Sequence, residues 1–88
     1  MELNHLKYFY LVAQKGSFTK AAAALSINQP GVSKAVGLLE ETLGVRLLER
    51  HKRKVFLTKA GQEIFNKCER IFQDCSEIKA IAEGERST

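Results

Sequence analysis

The residues best suited to recognition chemistry sit in one short run, Asn28-Gln29-Pro30-Gly31-Val32-Ser33-Lys34. Gln29 offers an amide, Ser33 a hydroxyl and Lys34 an ammonium, all off the stripe Val32, Val36, Leu39 and Leu43, whose spacing is that of one helical face. Side chains of these kinds hydrogen-bond base-pair edges, and glutamine suits the paired donor and acceptor of adenine. A second concentration is His51-Lys52-Arg53-Lys54, three cations in a row between two apolar runs. Covalent chemistry has few candidates: the only imidazoles and thiols are His5, His51, Cys68 and Cys75. On one helix the two cysteines stand about 10 Å apart, too far to bond to each other, and they lack the clustered spacing of a zinc site. No enzyme, metal site or cofactor is expected. The cysteines read as small packing residues, with a bridge between two chains as the alternative.

The elements that must position these groups follow from caps and periodicity. Leu3, Leu6, Phe9, Tyr10 and Ala13 predict a helix over 3–14, stopped by Gly16. Ser17 caps a second helix, 18–25, with Phe18, Ala21, Ala22 and Leu25 inward. Asn28 caps a third, with Pro30 in its first turn, where a missing N–H costs little, and Gly44 at its end. Residues 45–50 and 55–58 predict two strands around a basic turn at 51–54, a pattern without the usual Asn-Gly signal. Thr58 caps a long fourth helix. Ile64, Ile71 and Ile78 recur there at one heptad position, and Gly61, Cys68, Cys75 and Ala82 at the other. Phe65 and Phe72 widen the stripe toward the first three helices. A helix of about 24 residues, roughly 36 Å, cannot bury such a stripe against so small a body, so a partner chain is predicted across Ile64, Cys68, Ile71, Cys75 and Ile78. The fold class is mainly α: three helices and a two-stranded wing over 1–58, a dimerisation helix over 59–84, and a flexible tail over 85–88.

Charge agrees with a polyanionic partner for the first part. The chain carries 14 Lys and Arg against 10 Asp and Glu, a net +4, with +5 in residues 1–57 and −1 in the rest. The N-terminus has neither the basic start nor the apolar run of a signal peptide, and no stretch approaches the roughly 18 apolar residues of a membrane span. A cytoplasmic protein that does not engage membranes is expected.

These residues in this order resemble the N-terminal DNA-binding domain of LysR-type transcriptional regulators. The resemblance runs from Leu3 to about Ile81. It is carried by Leu6 and Phe9, Ser17-Phe18-Thr19-Lys20-Ala21-Ala22, Leu25, Gln29-Pro30, Ser33, Leu39-Glu40, Leu43-Gly44, Leu47-Leu48, Arg50 and Leu57-Thr58-Lys59-Ala60-Gly61. It implies a winged helix-turn-helix and a linker helix that pairs with its mate. It further implies double-stranded DNA with an interrupted inverted repeat as partner, tetramers in full-length members, and a small-molecule effector bound by a separate C-terminal domain. On this reading the third helix reads bases through Gln29, Pro30, Ser33 and Lys34. Ser17, Thr19, Lys20, Asn28 and Arg50 hold phosphates, and the wing places Arg53 in the minor groove with Lys52 and Lys54 on phosphates. Two positions depart from the family pattern: Asn28 replaces the usual Ser or Thr, and Gly31 replaces a residue that is often Ala. A local pair between Arg50 and Glu49 or Glu40 is the plainer alternative for that arginine. A winged helix used only for protein contacts and a sequence-blind DNA binder are the rival functions. Steep salt dependence separates the first from DNA binding, and preference over random duplex separates the second.

Overall fold

Three caps and one serine in an unusual conformation set the first half of the chain. In a computed structural model, which describes residues 1–86, α1 (Leu3–Lys15) ends on Gly16, whose φ is +67° and whose N–H closes on the Val12 carbonyl at 2.8 Å. α2 (Phe18–Leu25) starts where the Ser17 hydroxyl accepts from the Lys20 N–H at 3.1 Å. It ends on Ser26 at φ +57°, and the next N–H, that of Ile27, returns to the Ala22 carbonyl at 3.1 Å. Serine thus takes the left-handed position that glycine adopts at least cost, which explains a tight helix-turn-helix without glycine in the turn. α3 (Gln29–Leu43) begins under Asn28, whose Oδ1 accepts from the Gly31 N–H at 2.7 Å, and stops at Gly44, φ +71°.

The three helices bury one core: Leu6, Phe9 and Val12 from α1, Phe18, Ala21 and Ala22 from α2, and Val32, Val36 and Leu39 from α3. Val12 belongs to this core although the sequence stripe passed over it, whereas Leu3 and Leu43, on the predicted faces, are exposed.

The wing is shorter and tighter than its apolar runs suggest. β1 (Leu48–His51) pairs antiparallel with β2 (Lys54–Leu57), and His51 stands opposite Lys54, so the turn holds only Lys52 and Arg53. Lys52 supplies the positive φ, +58°, that a two-residue hairpin loop needs. The predicted strand start at 45 is corrected to 48, because amides up to the first strand residue are engaged elsewhere. The Val45 N–H returns to the Glu40 carbonyl at 3.3 Å. The N–H groups of Leu47 and Leu48 both donate to Glu40 Oε2, at 2.7 and 3.2 Å.

α4 (Lys59–Arg86) leaves the wing under Thr58, whose Oγ1 donates to the Arg46 carbonyl at 2.6 Å and accepts from the Gly61 N–H at 2.9 Å. Gly61 is a contact point. A Cβ there would stand 2.0 Å from the Leu47 carbonyl oxygen, so α4 crosses the base of the wing at glycine-only distance. Tyr10 then stacks on Phe65 with centroids 5.1 Å apart and tilts against Phe72 at 5.4 Å, seating α4 on α1 as the widened stripe predicts. The helix continues to Arg86, beyond the expected boundary at 84; of the predicted flexible tail, 85–86 are helical and 87–88 lie outside the described residues.

The heptad divides between two environments, which removes Cys68 from the expected dimer surface. Cys68 is fully buried in the chain's own core, and Ile64 is half-buried against it. The reason is that the aromatic pair holds this half of α4 onto α1, and the small Cys68 faces the body rather than a partner. Ile71, Ile78 and Ile81, farther along, are 37 %, 65 % and 67 % exposed.

Two expectations follow. Gly61→Ala should lower stability in urea by about 1–3 kcal/mol or more, while Gly37→Ala, where a Cβ meets nothing within 4 Å, should raise it by up to about 1 kcal/mol; equal effects would contradict the close crossing. Burial pushes the Cys68 thiol up from 9.0 to about 11. The fold favours the protonated thiol, so this contribution to stability is complete below the unfolded thiol's pKa and disappears as pH rises through about 11. In a Cys75→Ala chain at pH 8, a thiol reagent should label native Cys68 at least about a hundredfold more slowly than the urea-unfolded chain. Labelling at the unfolded rate would place Cys68 outside the core.

Candidate nucleic-acid interface

The start of α2, the start of α3 and the wing converge on one face. Ser17 and Thr19, Gln29, and Arg50 with Lys52, Arg53 and Lys54 line a single open cleft of about 320 Å³, floored by Phe18 and Val55. Three separate sequence signals, a cap, a polar helix tip and a cationic turn, therefore meet in space. Among the described residues no ion pair neutralises Lys52, Arg53 or Lys54, so the wing's charge is available to an outside anion.

Arg50 is the hinge of this face. Its guanidinium carbon sits 3.9 Å from the centre of the Phe18 ring, and Nη2 donates to Ser33 Oγ at 2.8 Å. Cation–π contact at an exposed site contributes about 0.5–1 kcal/mol. Neither glutamate offered as a local partner holds it, since the Glu40 carboxylate serves the Leu47 and Leu48 amides. Arg50 thus joins α2, α3 and β1 through one side chain. Its remaining N–H donors are free for a phosphate.

Each cap also has a free side. Ser17 accepts from Lys20 N–H with its oxygen and keeps its own O–H to donate. At the helix starts the caps take the Lys20 and Gly31 N–H groups and Pro30 has none, which leaves the N–H groups of Phe18, Thr19 and Gln29 to favour anions. Asn28 spends Oδ1 on Gly31 and keeps its NH₂. Pro30 and Lys34 are exposed on α3 but do not line the cleft, and Lys20 is exposed one turn into α2, also outside it. Ser33 lies in an adjoining cleft of about 230 Å³ shared with Gly37, Arg46 and Arg50. Sequence reasoning missed Arg46, whose place in an apolar run marked it as a strand residue, and gave Phe18 only a core role. The aromatic-to-arginine pairing has no signature in spacing, because 32 residues separate its members. Among the described residues, no group of three or more His, Cys, Asp or Glu could hold a metal ion, and no helix is long and apolar enough to cross a membrane.

Fold and face together define a winged helix-turn-helix with a cationic, helix-tip recognition surface. The family model for bacterial regulatory helix-turn-helix proteins of the lysR family matches residues 3–62. The chain belongs to that family and carries its DNA-binding domain. Among curated relatives, the HTH-type transcriptional regulator AdmX of Serratia plymuthica is 37 % identical over 84 residues, covering 96 % of this chain and 28 % of AdmX. Among solved structures, the DNA-binding domain of BenM in complex with catB site 1 DNA superposes with a TM-score of 0.91 at 38 % identity, covering 100 % of this chain and 98 % of that one. The CbnR DNA-binding domain in complex with DNA gives 0.83 at 36 % identity, covering 96 % and 97 %. The chain spans less than a third of the length of the first curated relatives it matches. These relatives are transcriptional regulators, not enzymes.

A Cβ at position 31 would stand 3.0 Å from Asn28 Oδ1, tighter than an ordinary contact, so the cap would have to give slightly to admit a side chain there.

Proposed function

We propose that this chain reads double-stranded DNA as a dimer, with α3 in the major groove and the wing along the neighbouring minor groove. The observation that carries the reading is the shared cleft of Ser17, Thr19, Gln29, Arg50, Lys52, Arg53 and Lys54 on one face. Gln29, Ser33 and Lys34 hydrogen-bond base edges, and Pro30 makes an apolar contact. Ser17, Thr19, Lys20, the Asn28 amide and Arg50 hold phosphates with the helix-start N–H groups. Arg53 enters the minor groove, and Lys52 and Lys54 neutralise phosphates.

Dimerisation runs through the exposed face of α4 from Ile71 onward, where Ile71, Ile78 and Ile81 are exposed and Cys75 is half-buried. A 28-residue helix is about 42 Å long, and Phe65, Cys68 and Phe72 seat its wing-proximal half on the body. Two such chains space their recognition helices for an interrupted inverted repeat, with half-sites about one 10-bp turn apart or a multiple of it. In a full-length regulator of this kind two dimers assemble on the site, and a C-terminal domain binds a small-molecule effector. Such a regulator works in the cytoplasm, beside the chromosome.

The test combines sedimentation with salt-dependent DNA binding. The chain should sediment as a dimer at micromolar concentration, and its affinity for duplex should fall steeply with salt. Arg53→Ala should weaken binding to a selected site by about 1–3 kcal/mol, and Lys52→Ala should reduce the salt slope by about one. A monomer would overturn the dimer, and binding unchanged by both substitutions would remove the wing from the interface.

A further inference from the structure

We infer that Arg50 is a positioning residue for Ser33, and that it sets the direction in which this hydroxyl reads a base. The inference rests on the proposed role of α3 as the reading helix. A serine hydroxyl has one proton to give and two lone pairs to accept with. A free serine therefore contacts hydrogen-bond donors and acceptors alike, which makes it an indifferent reader. Ser33 is not free: Arg50 Nη2 donates to its Oγ at 2.8 Å.

That contact has a fixed polarity. Arginine has five N–H donors, no acceptor, and a permanent charge. Ser33 can only accept from it, and the hydroxyl proton is left to point elsewhere. No hydrogen bond from Ser33 Oγ to any backbone carbonyl accompanies it among the described residues, so the proton is not spent inside the chain. Accepting from a cation also polarises the O–H bond, which makes the hydroxyl a stronger donor and a poorer second acceptor. An incoming cytosine amino group would meet an oxygen already engaged beside a positive charge. Guanine O6 or N7, adenine N7 and thymine O4 would meet a proton.

The guanidinium is itself held in place. It lies over the Phe18 ring at 3.9 Å, and Phe18 is a buried core residue. β1 supplies the arginine backbone, and the Glu40 carboxylate fixes the chain that enters β1. Phe18, Arg50 and Ser33 thus form a relay from the core to the reading surface. The donors that Arg50 does not spend on Ser33 remain for a phosphate, so clamp and orienter are compatible roles of one side chain.

The experiment is selection from randomised duplexes, followed by affinity measurements on the selected site, with the whole chain and its Ser33→Ala, Arg50→Met and double variants. Arg50→Met keeps the length and the apolar cover on Phe18 and deletes the donors. Melting curves check that each variant is folded. For the unchanged chain, exchanging G·C for C·G at the base pair that Ser33→Ala relaxes should alter affinity about fivefold, the range of one hydrogen bond. Arg50→Met should reduce that ratio below about twofold at the same pair, whatever its effect on overall affinity. The double variant should be no more relaxed there than either single one. Base preferences at other pairs should keep their order. If Arg50→Met weakens binding to all duplexes alike and leaves the preference at that pair intact, Arg50 is a phosphate clamp alone and the inference is overturned. If the unchanged chain selects no sequence, the proposed reading of DNA fails together with it.

Discussion

The place of the wing on the recognition face depends on one carboxylate. Glu40 lies near the end of α3 and accepts the N–H groups of Leu47 and Leu48 with a single oxygen. Those two leucines are buried in the core. Hydrogen bonds to a charged acceptor contribute about 1.5–3 kcal/mol, and unpaired buried amides are costly to leave. The arrangement therefore makes the segment between α3 and β1 a strut rather than a loop. It fixes where β1 begins and thereby the register of the wing. Thr58 and Gly61 clamp the same segment from the other side, through the Arg46 and Leu47 carbonyls.

This bracing has a functional consequence. A protein that must organise its contact groups on binding loses affinity to ordering entropy. Here the cap of α2, the tip of α3 and the base of the wing already share one body, tied across by Arg50 between Phe18 and Ser33. Among the described residues the cations at the wing tip have no ion-pair partner, which leaves them open to an outside anion. The outer half of α4 is the opposite case: its Ile78 and Ile81 are largely exposed.

Much of this was legible in the residues. Caps and stops at Gly16, Ser17, Asn28, Gly44 and Thr58 mark the element ends, because each satisfies an orphan backbone group by a local rule. The family resemblance rested partly on residues that are core, caps and crossing points, such as Leu6, Phe9, Ser17 and Gly61, and partly on residues of the polar face, such as Gln29, Ser33 and Arg50. What stayed hidden is long-range. The heptad in α4 reports an apolar face without saying what covers it, so Cys68 read as an interface residue when the aromatic contacts of Tyr10 turn it inward. The strand start at 48 was hidden because the Glu40 side chain, seven and eight residues away, takes the Leu47 and Leu48 amides where the strand begins. The Arg50 contacts with Ser33 and Phe18 bring together three elements, and no periodicity encodes that.

The central claim is that α2, α3 and the wing dock on DNA as one preformed face. The most direct measurement is amide NMR of the isotope-labelled chain with and without a selected duplex. The account predicts shifts concentrated in Ser17–Lys20, Asn28–Lys34 and Arg50–Lys54, with the Leu47 and Leu48 amides equally protected from exchange in both states. Shifts centred on α1 or the outer half of α4, or loss of that protection on binding, would contradict it.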